Sequence, residues 1–174
     1  MLADTGGHLL SWAPVFPMVP ASGLFIMIIG IGVVSGALLP NKRDLTLFCA
    51  FVVAIAALVT FGGRLMAPFG NPTTLQLWFL FGSIALEIVL FRFGLPRYRK
   101  SGERSTRLAS LFIVGVHFLP MAVAFGPMFL TLGLALCLCS GAGLWLRPGL
   151  PLNVLWAADG LLKIAFGSVM MLAL

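Results

Sequence analysis

The chain has 174 residues, of which 60% are hydrophobic and only 9% are charged, and its mean hydropathy is +1.10. Because about one quarter of the residues in a soluble domain are charged, this composition excludes a soluble protein and indicates an integral membrane protein. The formal net charge of +6 would suggest nucleic acid in a soluble chain, but the basic residues here lie between apolar runs, so we expect no nucleic-acid partner.

The apolar runs divide the chain into six segments, each long enough to cross a bilayer as a helix that rises about 1.5 Å per residue. We therefore predict an all-α, polytopic membrane helical bundle that forms one domain over residues 1–174. The predicted transmembrane helices are residues 21–39, 45–67, 73–94, 108–125, 128–146 and 152–173.

The first two segments contain packing motifs rather than buried charges. Gly32 and Gly36 form a GxxxG pattern, which predicts the close approach of another helix. Arg64 lies within about one turn of the end of the second segment, so its long side chain can reach the head-group level.

The third segment has a polar stripe. Gln76, Ser83 and Glu87 follow one another at spacings of seven and four residues, which places them on one side of a helix. The stretch 92–107 that follows has six positive charges against one negative charge. We predict that it is a cytoplasmic loop and that it meets anionic lipid head groups.

The fourth segment contains His117 and then Pro120, which is expected to bend the helix and free a backbone carbonyl. In the fifth segment, Cys137 and Cys139 lie in an apolar run, as Cys49 does in the second. Two cysteines at this spacing point to different sides of a helix, so we interpret all three as packing residues and expect no disulfide and no metal site.

The sixth segment contains the clearest signal of buried chemistry. Asp159 and Lys163 lie four residues apart inside an apolar stretch, which puts both on one helix face in the order that favours an ion pair. Each charge would cost roughly 2.5–3.5 kcal/mol at the bilayer centre, so the pair is expected to face protein or water rather than lipid.

Basic residues occur in three of the five connections, namely those that follow the first, third and fifth segments. The positive-inside rule therefore predicts that both termini are extracytoplasmic. We expect a multi-pass protein of the cell membrane, specifically a bacterial inner membrane, and the sequence leaves a homo-oligomer open.

A weak internal repeat is visible near the start of the third and sixth segments. Residues 77–82 and 155–160 share the pattern L-W-x-x-x-G, which would relate two inverted halves of three helices each. Glu87 and Asp159 do not align in this register, which weighs against the repeat.

Four ionisable groups are predicted to lie at similar depths in the cytoplasmic half of the membrane. Glu87 and Asp159 lie about 9–10 Å from the predicted cytoplasmic helix ends, and His117 and Lys163 lie about 15–17 Å in. We therefore predict that these four line a shared hydrated pocket, with Gln76 and Ser83 on the same stripe as Glu87. The competing interpretation is structural, in which the polar groups only lock helices together.

Three functions are compatible with this pattern. Buried ionisable groups favour a transporter or channel for a proton, an ion or a small solute, with Glu87 and His117 as a proton relay. A membrane-embedded enzyme or a binding protein for a lipophilic ligand is the second, although no nucleophile elbow or HExxH motif occurs and we name no catalytic residue, cofactor or metal. The third is a non-catalytic membrane subunit.

Overall fold

Six helical rods run through the computed structural model, which describes residues 15–146 and 149–172. Each rod is long and apolar enough to cross a membrane, and the described residues contain no strand. The predicted all-α fold with six transmembrane helices is therefore confirmed. The α-helices are α1 Val19–Leu38, α2 Arg43–Met66, α3 Thr74–Val89, α4 Leu95–Arg99, α5 Glu103–Phe125, α6 Pro127–Gly141 and α7 Leu152–Met171.

The third rod is longer than the sequence predicted. A π-helical turn, Leu90–Gly94, joins α3 to α4, so the rod continues to Arg99 instead of ending near residue 94. A π turn is wider than an α turn and accommodates Pro96, whose ring would clash inside a regular helix. Only residues 100–102 connect the third rod to the fourth, which is α5. Gly102 adopts the left-handed φ of +102° that this tight reversal needs. The prediction of a loop over residues 92–107 is therefore wrong.

The rods pack as two three-helix groups. In the α1 group, α1 packs against both α2 and α7, and in the α5 group, α5 packs against both α3 and α6. The two groups meet mainly where α6 lies along α7. This division does not follow the predicted halves of three consecutive helices.

The two tryptophans of the proposed repeat also lie in opposite environments. Trp78 is 71% exposed on the outside of α3, whereas Trp156 is 3% exposed in the core. The glycines of the two motifs differ in the same way, because the position of a Cβ on Gly82 is open and that on Gly160 is blocked. The structure therefore gives the repeat no support.

Glycines let α1 and α7 approach almost to backbone contact. A Cβ on Gly30 would lie 2.7 Å from the Gly160 carbonyl oxygen, and one on Gly23 would lie 2.8 Å from that of Gly167. The predicted GxxxG faces a different neighbour, since Gly32 contacts Ala50 of α2. Small residues therefore let α1 pack closely on both sides.

The two ends of the bundle differ in chemistry. The end where α1, α4 and the π-extended α6 finish, here called the basic end, contains most of the Lys and Arg residues. The opposite end is filled by apolar side chains of α1, α5, α6 and α7 that form one core cluster. Its fully or nearly buried members include Phe118, Met121, Phe125, Phe129, Leu132 and Met170.

We expect Gly160→Ala to destabilise the protein by about 1–3 kcal/mol, because the new methyl group would overlap the α1 backbone. Its Cβ would lie 2.8 Å from both the Gly30 oxygen and the Val34 nitrogen. Thermal unfolding in detergent would measure the loss. Gly82→Ala is the matched control, since nothing lies within 4 Å of its Cβ position, and equal losses in both variants would contradict the close α1–α7 contact.

Candidate functional site

An ion pair within α7 lies at the centre of the bundle. Asp159 is 1% exposed and Lys163 is 2% exposed, and the Lys163 ammonium donates a hydrogen bond to Oδ2 of Asp159. Oδ1 of the same carboxylate is buried and has no hydrogen-bond partner among the described residues. As the sequence predicted, the two charges form a pair that faces protein and not lipid.

The packing of α7 explains why this face is buried. Gly160, next to Asp159, brings α7 against the backbone of α1. On the other side, the Cys139 thiol of α6 lies 3.8 Å from the Leu155 carbonyl oxygen, one turn before Asp159. The pair is therefore enclosed between the first and fifth rods.

A second pair joins α3 to α5. Oε2 of Glu87 lies 3.7 Å from Nε2 of His117. The imidazole is buried, with a side-chain exposure of 7%, whereas the Glu87 side chain keeps 26% of its surface exposed. The imidazole also lies near the Val114 carbonyl of its own helix. Its Nδ1 forms no hydrogen bond with any of the described residues that meets the usual distance and angle limits. Glu87 is therefore the outward-facing member of this pair.

No hydrogen bond or ion pair among the described residues joins the two pairs, but the charge of Lys163 acts on both Glu87 and His117. The four side chains Glu87, His117, Asp159 and Lys163 are here called the polar cluster. Asp159 and Lys163 belong to the α1 group, and Glu87 and His117 belong to the α5 group. The polar cluster therefore lies where the two three-helix groups face each other.

The other two predicted site residues have local structural roles. Gln76 completes a capping box with Thr73 at the start of α3, and its amide donates a hydrogen bond to the Val15 carbonyl at 2.8 Å. Ser83 is buried and donates to the Leu80 carbonyl of its own helix at 2.8 Å. Glu87 does face α5, but Gln76 lies at the far end of α3 from the polar cluster.

An open depression of about 530 Å³ lies on the outer side of Glu87. It follows one face of the third rod from α3 through the π turn to α4. Its lining residues are Glu87, Ile88, Phe91, Arg92, Leu95 and Arg99. Glu87 is its only lining residue from the polar cluster, so this depression is not the predicted pocket shared by all four groups.

Arg43 is a buried residue that the sequence analysis did not single out. It is 6% exposed; its Nε donates to the Gly36 carbonyl at 3.0 Å and its Nη2 donates to Oδ1 of Asn153. The guanidinium also lies over the Trp156 ring, 5.5 Å from its centroid. One side chain thus ties α2 to both α1 and α7. In the sequence, Arg43 looks like one more charge of a short basic connection.

The other arginines at the basic end divide into two kinds. Arg104 donates to the carbonyls of Gly143 and Leu150, which fastens α5 to the connection between the last two rods. Arg107 forms ion pairs of 2.9 Å with Asp44 and Glu103. By contrast, Arg92, Arg97 and Arg99 are exposed and belong to none of the ion pairs between described residues.

Comparison with known protein families places the chain in a described family. The model of DUF6609, described as a family of unknown function, matches residues 15–174. That range contains all six rods and the whole polar cluster. No curated protein and no solved structure matches the chain.

We expect Asp159→Leu alone to cost about 3–5 kcal/mol of stability, because it leaves the Lys163 ammonium buried without its partner. The double variant Asp159→Leu/Lys163→Met is expected to recover most of that loss, since it removes both charges. A double-mutant cycle on thermal or chemical unfolding measures the coupling. Strictly additive effects would show that the two side chains do not compensate each other.

We expect Arg43→Gln to lower the free energy of unfolding by about 1–3 kcal/mol, because it leaves polar partners on α1 and α7 unpaired. Lys42→Gln removes the same charge from an exposed neighbouring position and serves as the control. Melting curves of the two variants in one detergent make the comparison. Similar curves would mean that Arg43 acts only through its charge.

Proposed function

The chain belongs to this family of unknown function, and we propose that it is a small membrane transporter whose polar cluster binds and releases one proton. The proposal rests on the cluster itself, since the family description assigns no activity. We also propose that the basic end faces the cytoplasm of a bacterial cell, which puts both termini outside. The positive-inside distribution of Lys and Arg supports that orientation.

The charge count of the polar cluster is the observation that carries the proposal. The cluster contains two carboxylates, one ammonium and one imidazole, so with Glu87 ionised and His117 neutral it has one uncompensated negative charge. Such a charge is costly in a low-dielectric interior. One proton shared by Glu87 and His117 removes it, so these two side chains are the ones that would bind and release the proton.

The position of the cluster supports a carrier rather than an open pore. The cluster lies between the two three-helix groups, the type of location where many transporters bind their substrates. Glu87 is partly exposed toward the basic end, whereas large apolar side chains fill the opposite end. A relative movement of the two groups would be needed to expose the cluster to the other side.

A second candidate is a membrane-embedded enzyme or binding protein for a lipophilic compound. It is favoured by the depression that opens beside Glu87 on the outer face of the third rod. In that case Glu87 and His117 would act as a general acid and base. This candidate requires no proton flux across the membrane, which separates it from the transporter.

The purified protein in liposomes is expected to dissipate an imposed pH gradient, followed with an entrapped pH-sensitive dye. We expect Glu87→Gln to reduce this flux by at least about tenfold, because the amide keeps the shape of the side chain but cannot exchange the proton. His117→Gln tests the second member of the pair in the same way.

Glu103→Gln is the matched control for this experiment. Glu103 has the same side chain, but it lies at the exposed start of α5 and pairs with Arg107, so the flux should stay close to that of the unmodified protein. Gel filtration and melting curves establish that each variant is folded. Unchanged flux in folded Glu87→Gln, or no flux in the unmodified protein, would overturn the proton-transport proposal.

A further inference from the structure

We propose that the depression beside Glu87 binds one anionic phospholipid, taken from the leaflet at the basic end, with its phosphate held between Arg92 and Arg99. The sequence predicted contact of anionic head groups with the whole stretch 92–107. We narrow that expectation to one face of the third rod and to two of the six basic residues in the stretch, Arg92 and Arg99. This binding does not rest on the proposed transport activity.

The two arginines are placed on the same face of the third rod. Arg92 lies in the π turn and Arg99 ends α4, and both line the depression. They are seven residues apart, which is about two helical turns or 10 Å along the rod. The third rod is an outer helix that packs mainly against α5, so lipid can reach the depression from the side.

The availability of these arginines distinguishes them from their neighbours. Arg104 and Arg107 use their guanidinium groups for contacts within the protein. Arg92 stacks on the ring of the adjacent Phe93, and neither Arg92 nor Arg99 has a carboxylate partner among the described residues. A phosphate can therefore take up their free donors, and guanidinium groups bind phosphate in bidentate geometry.

The remaining lining residues call for an amphiphilic ligand. Ile88 and Phe91 lie deeper in the membrane than Arg92, and Leu95 lies between Arg92 and Arg99, so apolar side chains line the depression along most of its length. A free phosphate ion would leave these side chains uncovered, whereas the glycerol and acyl chains of a phospholipid would lie against them. Glu87 marks the deep end of the depression, where its carboxylate would repel a phosphate, so the phosphate is directed away from Glu87 to the stretch between Arg92 and Arg99.

A lipid bound in this way would cover the exposed side of Glu87. Because Glu87 also contacts His117 across 3.7 Å, lipid exchange and access to the polar cluster would occur at the same place. An occupied depression would therefore close the approach to Glu87 from the lipid side.

Native mass spectrometry of the full chain, released from detergent that contains equal amounts of phosphatidylglycerol and phosphatidylcholine, tests the proposal. We expect the protein to retain one phosphatidylglycerol in preference to phosphatidylcholine. The variant Arg92→Gln/Arg99→Gln should reduce that preference by at least about tenfold, because charge-assisted contacts to the phosphate are lost. Excess inorganic phosphate should not displace the lipid.

The control variant is Arg97→Gln/Lys100→Gln. It removes the same charge from the same segment, but neither residue lines the depression, so the lipid preference should remain. Leu95→Trp is a second test that keeps every charge and fills the depression, and it should also reduce retention. If both charge variants lost the preference for phosphatidylglycerol equally, the preference would come from general electrostatic attraction to the basic segment, and the proposed site would be overturned. No preference for phosphatidylglycerol in the unmodified protein would overturn it as well.

Discussion

The ion pair of Asp159 and Lys163 constrains the arrangement of the whole bundle. Because two charges four residues apart on one helix cannot face lipid without a large cost, α7 has to turn that face toward other helices. The structure meets this constraint by placing α7 between α1 and α6. The glycine contacts with α1 make the enclosure tight enough to leave both side chains almost fully buried.

The helices could be predicted from the sequence because length and hydrophobicity alone decide whether a segment crosses a bilayer. The end of the third rod could not be predicted in this way. Arg92, Arg97 and Arg99 give the segment the composition of a loop, whereas in the structure the π turn continues the helix through them. Arg43 was missed for a related reason. Its burial depends on Asn153 and Trp156, which are distant in sequence, and no local pattern predicts that contact.

The sequence could single out buried ionisable groups but not the pairs that they form. Depth and helix face singled out the four ionisable groups, whereas the approach of Glu87 to His117 depends on α3 packing against α5. A polar stripe on one helix face does not by itself show that its members share a site. Gln76 shares a face with Glu87, but it caps the start of α3. Helix order is set by side-chain packing between segments, and a single sequence does not reveal it.

The contact between α1 and α7 joins the first and the last of the six rods. Because α7 follows all the other rods in the chain, α1 can pack against α2 during synthesis before α7 is available. That final span is also the least apolar of the six and contains the ion pair. The α1 group is therefore incomplete until α7 is in place, and a chain truncated before residue 152 would leave the glycine-lined face of α1 without the helix that shelters it.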